Sequence, residues 1–167
     1  MQGYFDGKKV KFFEMGCRLG GSYFNHEQAC LGYNAMTMII RYAMTGKMVE
    51  DINSISKESA KYKKYALDCN YLLKGYDHTV SEIRGMKEVE ELPECVAIQK
   101  YHEVGYRYGK DRTVDRPIMV AEVVLDSKDE VLRVVNYIND TFEVLDENGE
   151  SILMDKLDPA ELFKKKY

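Results

Sequence analysis

The stretch Lys9-Val-Lys-Phe-Phe-Glu-Met-Gly-Cys-Arg-Leu-Gly-Gly21 constrains this chain more than any other. Val10, Phe12 and Phe13 are the β-branched and aromatic residues that suit a pleated surface, so the stretch begins as a strand. It ends at Gly20-Gly21, where the missing Cβ opens backbone angles closed to other residues and lets a ligand come close to the chain. Side chains alternate along an extended backbone, which puts Glu14, Gly16 and Arg18 on one face. A carboxylate and a guanidinium then share a face beside a glycine turn. That arrangement suits the handling of an anion, and it equally suits a solvated ion pair of little energetic weight.

The rest of the composition narrows the classes open to the chain. Its 167 residues, 45% hydrophobic and 31% charged, suffice for one good core or two small lobes. No run approaches the ~20 apolar residues of a membrane span, and the N-terminus lacks a signal-peptide pattern. A net charge of −4 argues against a nucleic-acid surface, and the basic tail Lys164-Lys-Lys166 is too short to change that. Cys17, Cys30, Cys69 and Cys95 are scattered, with no CxxC pair and no adjacent histidines, so they read as the reduced thiols of a cytoplasmic protein. Cys17 alternates away from Glu14 and Arg18 and is expected to pack behind the strand.

Periodicity and punctuation predict the remaining elements. Residues 1–6 and 9–15 form a hairpin turning at Asp6-Gly7. A helix follows Gly21, with Asn25 as its cap and Gln28 in capping-box register. Its stripe of Ala29, Cys30, Tyr33, Met36, Ile40, Ala43 and Met44 is expected to pack in a core, and Thr45-Gly46 closes it. His26 falls in the first turn. Residues 49–64 are polar and lysine-rich and read as a linker. Beyond it, strands are expected over 65–74, 78–84, 95–101 (with 104–108 as an extension) and 118–125. A short helix over 86–92 stops at Pro93, and 105–115 forms a charged hairpin loop. A second helix is capped by Ser127 with Glu130 and buries Val131, Leu132, Val135 and Ile138. A last hairpin turns at Asn148-Gly149. The pattern predicts an α+β fold, an antiparallel sheet with helices on one side.

Phe12 to Gly21 resembles the closing strand of the ATP-grasp fold, whose pattern is apolar-apolar-Glu-x-Asn-x-Arg followed by glycines. In that family the Glu and the Asn hold magnesium on the ATP phosphates, and the Arg contacts the acyl-phosphate intermediate or the substrate. The resemblance implies Glu14 as the metal ligand and Arg18 as the catalytic residue. Gly16 stands where the family has Asn, so one metal ligand is absent. The helix after the glycines lines the substrate pocket with its first turn in the family, which implies Gly20, Gly21, Ser22, Asn25 and His26 as substrate- or phosphate-binding residues. Ser81 to Pro93 is similar to the start of the C-terminal domain in the carbamoyl-phosphate-synthase-like and biotin-carboxylase-like branch. An arginine of that domain reaches the active site in the biotin-carboxylase-like enzymes, and Arg84, Arg107, Arg112 and Arg116 are the candidates here.

These resemblances imply a C-terminal fragment of an ATP-grasp fold plus its C-terminal β-rich domain. Residues 1–48 would end the grasp domain, 49–64 would link, and 65–167 would form the C-terminal α+β domain. The implied function is that of an ATP-dependent carboxylate-amine ligase acting through an acyl phosphate. Its cofactors would be ATP and magnesium, and its partners small-molecule carboxylates and amines. No glycine-rich phosphate loop or Walker motif is present, so the chain alone is expected neither to hydrolyse ATP nor to bind it tightly. Exposed strand edges predict self-association into a homo-oligomer. Two other readings remain open: a non-catalytic binding or oligomerisation module derived from a degenerate ATP-grasp enzyme, and carbamoyl-phosphate or carboxyphosphate chemistry.

Overall fold

The computed structural model describes residues 2–5, 7–14, 23–51, 64–110 and 117–164; for residues 2–5, 10 and 12–14 the backbone alone is described. The chain opens with an antiparallel hairpin of β1 (Gln2–Phe5) and β2 (Val10–Glu14), as expected. Its register slips between Gln2 and Gly3: Gln2 lies opposite Glu14 and Gly3 opposite Phe12. Phe13 is therefore the extra residue of a β-bulge, a device that bends a strand and re-aims the side chains beside it.

The expected single helix after Gly21 is two helices, α1 (Tyr23–Leu31) and α2 (Ala35–Thr45). Gly32, at φ +76, takes the chain out of helical geometry. Asn34 then starts α2 afresh, its side chain accepting from the Thr37 N–H at 2.8 Å. Gly46 closes α2 in the left-handed region, its N–H donating to the Tyr42 carbonyl, as the Thr45-Gly46 signal predicts. The expected core packing of this stripe fails in α2. The helix buries no side chain among the described residues, and Ile40 and Met44 are 53% and 79% exposed.

The linker reading of 49–64 falls mostly on residues 52–63, outside the described residues. Beyond them, the main sheet has three antiparallel strands in the order β3-β8-β6, with β3 (Tyr65–Leu72), β6 (Cys95–Lys100) and the central β8 (Pro117–Leu125). The strand expected over 78–84 is two short ones, β4 (His78–Thr79) and β5 (Glu82–Arg84). The chain changes partner between them: β4 pairs with β7 (Arg107–Tyr108), and the Ser81 N–H already donates to the Leu145 carbonyl of β9 (Glu143–Leu145). The 104–108 segment accordingly does not extend β6; it turns at Val104-Gly105 and joins β4.

Helix α3 (Met86–Glu90) and helix α4 (Lys128–Thr141) complete this portion, followed by a 3-10 turn at Pro159–Phe163. The Ser127 side chain accepts from the Glu130 N–H at 3.2 Å, and the Glu130 carboxylate accepts from the Asp126 N–H at 2.7 Å. Helix α4 buries Val131, Val134, Val135 and Ile138; Val134 takes the place expected for Leu132, which is only partly buried. These residues meet Cys69, Tyr71 and Val123 in one apolar core. Tyr71 anchors it, with its ring edge-on to Phe142 at 5.0 Å and its hydroxyl donating to Asn139 Oδ1 at 2.8 Å. Val89 of α3 joins the same core, so α3 and α4 share one side of the sheet. Alternation along β3 and β8 turns Asp68 and Glu122, opposite each other in the ladder, toward the other face. There α1 packs on β8 and β6. No helix of the described residues is long and apolar enough to cross a membrane.

Candidate functional site

The face of β3 and β8 turned away from α4 carries a buried polar cluster under α1. Glu122 sits in the middle of the central strand and is fully buried. Its carboxylate accepts from Asn25 Nδ2 of α1 at 3.0 Å and from Gln99 Nε2 of β6 at 2.6 Å. Both donors are neutral amides. A carboxylate removed from water loses several kcal/mol of solvation, roughly, unless a cation accompanies it. Among the described residues no lysine or arginine pairs with it.

The basic side chain at the cluster is His26. It is 7% exposed, and its Nε2 lies 3.6 Å from Asp68 Oδ1, the residue beside Glu122 in the ladder. That separation exceeds the ~2.7–3.2 Å of an N–H···O hydrogen bond. Both atoms are buried and without a hydrogen-bond partner. One nitrogen of His26 and one oxygen each of Asp68 and Glu122 lie within 4.8 Å of one another. Burial pushes the Asp68 carboxyl above its ordinary range; the imidazole opposes the shift and the Glu122 charge adds to it. Outside the cluster runs a cleft of about 300 Å³ lined by Tyr23, His26, Glu27, Cys30, Ala66 and Asp68. The Cys30 thiol, one helical turn beyond His26, is held above its usual value by burial.

Two of the residues expected at a substrate site, Asn25 and His26, are thus brought together at this cluster. Asn25 does not cap the helix, because α1 starts two residues earlier; it ties α1 to the sheet instead. His26, in the first turn of α1 as expected, is buried and faces the partly exposed Asp68. Glu14 is the last residue of β2, directly after the bulge. Gly16, Cys17, Arg18, Gly20, Gly21 and Ser22 lie outside the described residues, as do Arg112 and Arg116. Arg84 forms an exposed bidentate pair with Glu82. Glu122, Asp68 and Gln99 escaped the sequence reading. A single acid inside the apolar run Ile118–Leu125 was the available signal, since unpaired carboxylates are rarely buried.

A second grouping, His78 with Asp146 and Glu147, differs in being internally satisfied. His78 Nδ1 stands 3.2 Å from Asp146 Oδ2, Asp146 Oδ1 accepts from the Asn148 and Glu150 N–H groups, and Glu147 accepts from the Thr79 N–H. It is a hydrogen-bonded turn.

The three-stranded antiparallel sheet, its helices and the leading hairpin form a mixed α+β architecture that is similar to part of a solved ligase structure. One solved structure with this likeness is the crystal structure of L-amino acid ligase from Bacillus licheniformis, at a TM-score of 0.58 and 17% sequence identity over 78% of this chain. The chain covers 32% of that ligase, about a third of its length. At this identity the likeness is one of fold. No family model matches the sequence, and no curated protein matches it in sequence.

Proposed function

We propose that the chain is a C-terminal portion of an ATP-dependent ligase that phosphorylates a small carboxylate and passes the acyl group to an amine. What supports the reading is a coincidence of fold and motif. A chain whose architecture is similar to part of an amino acid ligase carries Glu14, Arg18 and Gly20-Gly21 in one strand-to-helix stretch. In this reading Glu14 supplies a carboxylate oxygen of the type magnesium takes, and Arg18 grips an acyl phosphate through two parallel hydrogen bonds. Backbone N–H groups at Gly20-Gly21 and the side chain of Ser22 face the substrate anion in this reading. Magnesium supplies charge neutralisation on the ATP phosphates when bound. The reading includes a cytoplasmic location, small-molecule carboxylate and amine partners, and self-association through strand edges. Residues 1–48, 49–64 and 65–167 are its three segments.

The test is ADP release by the full-length protein with magnesium, ATP and a panel of L-amino acids. Glu14→Gln is expected to lower turnover on the order of 100-fold or more while the melting temperature stays put. Arg18→Lys is expected to lower it as well, since an ammonium lacks the planar fork. A Glu14→Gln protein that keeps its turnover, or loses folding in step with it, overturns the assignment. Gly16 favours a second reading, a non-catalytic module derived from a degenerate ATP-grasp enzyme, because it removes a carbonyl ligand the metal would otherwise have. Carbamoyl-phosphate or carboxyphosphate chemistry would use the same strand, and ADP release that needs bicarbonate rather than an amino acid would identify it.

A further inference from the structure

The geometry points to a divalent-cation site in which His26 Nε2, Asp68 Oδ1 and one oxygen of Glu122 are the protein ligands, taking a borderline ion such as Zn2+ or Mn2+. It is separate from the magnesium reading of Glu14 and does not rest on the ligase assignment. Three observations carry it. The ligand atoms already converge within 4.8 Å of one another, from α1, β3 and β8, so no backbone movement is needed to gather them. His26 is more than nine-tenths buried, and its Nε2, aimed at Asp68, has no hydrogen-bond partner; the same is true of Asp68 Oδ1. Buried polar atoms are nearly always satisfied, and a cation between these two satisfies both at once.

Charge makes the same demand. Two carboxylates meet here, and among the described residues no lysine or arginine pairs with either. A divalent ion supplies the positive charge the pair lacks. Asn25 and Gln99 then act as outer partners, each holding one Glu122 oxygen in place through an amide N–H while leaving a lone pair for the metal. One imidazole nitrogen with two carboxylate oxygens is a donor set for Zn2+ or Mn2+, whereas Mg2+ and Ca2+ prefer all-oxygen sites. The adjoining cleft of about 300 Å³ gives an ion and its remaining waters a way in. The His78 grouping has no such need, because its carboxylates are already occupied by N–H donors.

The experiment titrates the metal-free full chain with Co2+, read by visible absorption, and with Zn2+, read by calorimetry. The wild type is expected to take up one ion per chain saturably, without the charge-transfer band of a cobalt thiolate. Asp68→Asn is expected to weaken binding on the order of 100-fold, beyond the roughly 10-fold loss that removal of the outer partner in Gln99→Ala should bring. His78→Gln and Cys30→Ala are expected to bind as the wild type does. Absence of saturable uptake, equal uptake by Asp68→Asn, or loss of uptake in His78→Gln or Cys30→Ala overturns the assignment. Should Asp68→Asn fail to fold, the wild type decides alone. Zinc must then shift the Nε2 resonance of His26, one of three histidines in the chain, and an unmoved resonance overturns the site.

Discussion

Gly85 offers the sharpest test of the packing behind the site. It stands at φ +73 where β5 passes into α3, and its carbonyl accepts the first bond of that helix from the Val89 N–H. A Cβ built there would lie 2.1 Å from the Thr141 carbonyl oxygen and 2.6 Å from its carbon, at the last turn of α4. Gly85→Ala therefore carries two separable penalties. Left-handed backbone for a residue with a Cβ costs about 1–2 kcal/mol. Pushing the end of α4 away by more than an ångström is overpacking against backbone, worth roughly a further 1–3 kcal/mol. The sum is about 2–5 kcal/mol, a large part of the ~5–15 kcal/mol typical of a folded domain. Gly149→Ala carries the first penalty alone: its φ is +77, but nothing lies within 4 Å of the new Cβ. Urea unfolding of the two variants beside the wild type should show equal slopes, with the midpoint of Gly85→Ala well below that of Gly149→Ala. Equal midpoints would refute the reasoning, because they would mean that α3 and α4 are not in contact at Thr141.

Two further outcomes rest on named groups. The Asp146 carboxyl is held below its usual range, chiefly by the Glu150 N–H, with help from Asn148 and His78. A carboxyl depressed by folding stabilises above its unfolded value of about 3.9 and loses that contribution as pH falls through the folded one. Asp146→Asn should therefore flatten the decline of the urea midpoint as pH falls below about 4, and an unchanged acid limb would contradict this. Burial pushes the Cys69 thiol up to about 12. Brief alkylation of the native protein, read by mass spectrometry, should leave Cys69 unmodified, and its labelling without unfolding would refute the packing of β3 against α4.

Much of the fold was legible because its signals are local. The run Ile118–Leu125 announces a buried strand, Ser127 with Glu130 a helix start, and Asn148-Gly149 a turn, and each stands where its chemistry put it. The misreadings share a different cause. The apolar period of residues 29–44 continues through Gly32, so period alone predicts one helix, whereas Gly32 and the Asn34 cap make two. Periodicity also says which face of a helix is apolar and not what covers it, so Ile40 and Met44 were expected inside and stand exposed. The split of 78–84 into β4 and β5 is set by partners at Tyr108 and Leu145, far along the chain. At the site the limit is the same. Asn25 and His26 were singled out by their nearness to Gly20-Gly21, but their partners Glu122 and Asp68 come from two distant strands, and no spacing relates the four.

The way α1 is attached bears on what the polar cluster beneath it does. Helix α1 buries one residue, His26, and it is tied to the sheet by a polar group, the Asn25 amide on Glu122. Apolar contacts are non-directional and tolerate sliding, whereas a buried carboxylate held by two amides admits few orientations of the helix that supplies one of them. Such a tie is weak evidence for stability and better evidence for register. Glu122 also draws Gln99 from β6, so a single carboxylate joins α1 to two strands of the sheet. Any change of charge or ligation at Asp68 and Glu122 must therefore reach the first turn of α1. That turn comes directly after Gly20, Gly21 and Ser22 in the chain, so ligation at the cluster is felt first where α1 begins.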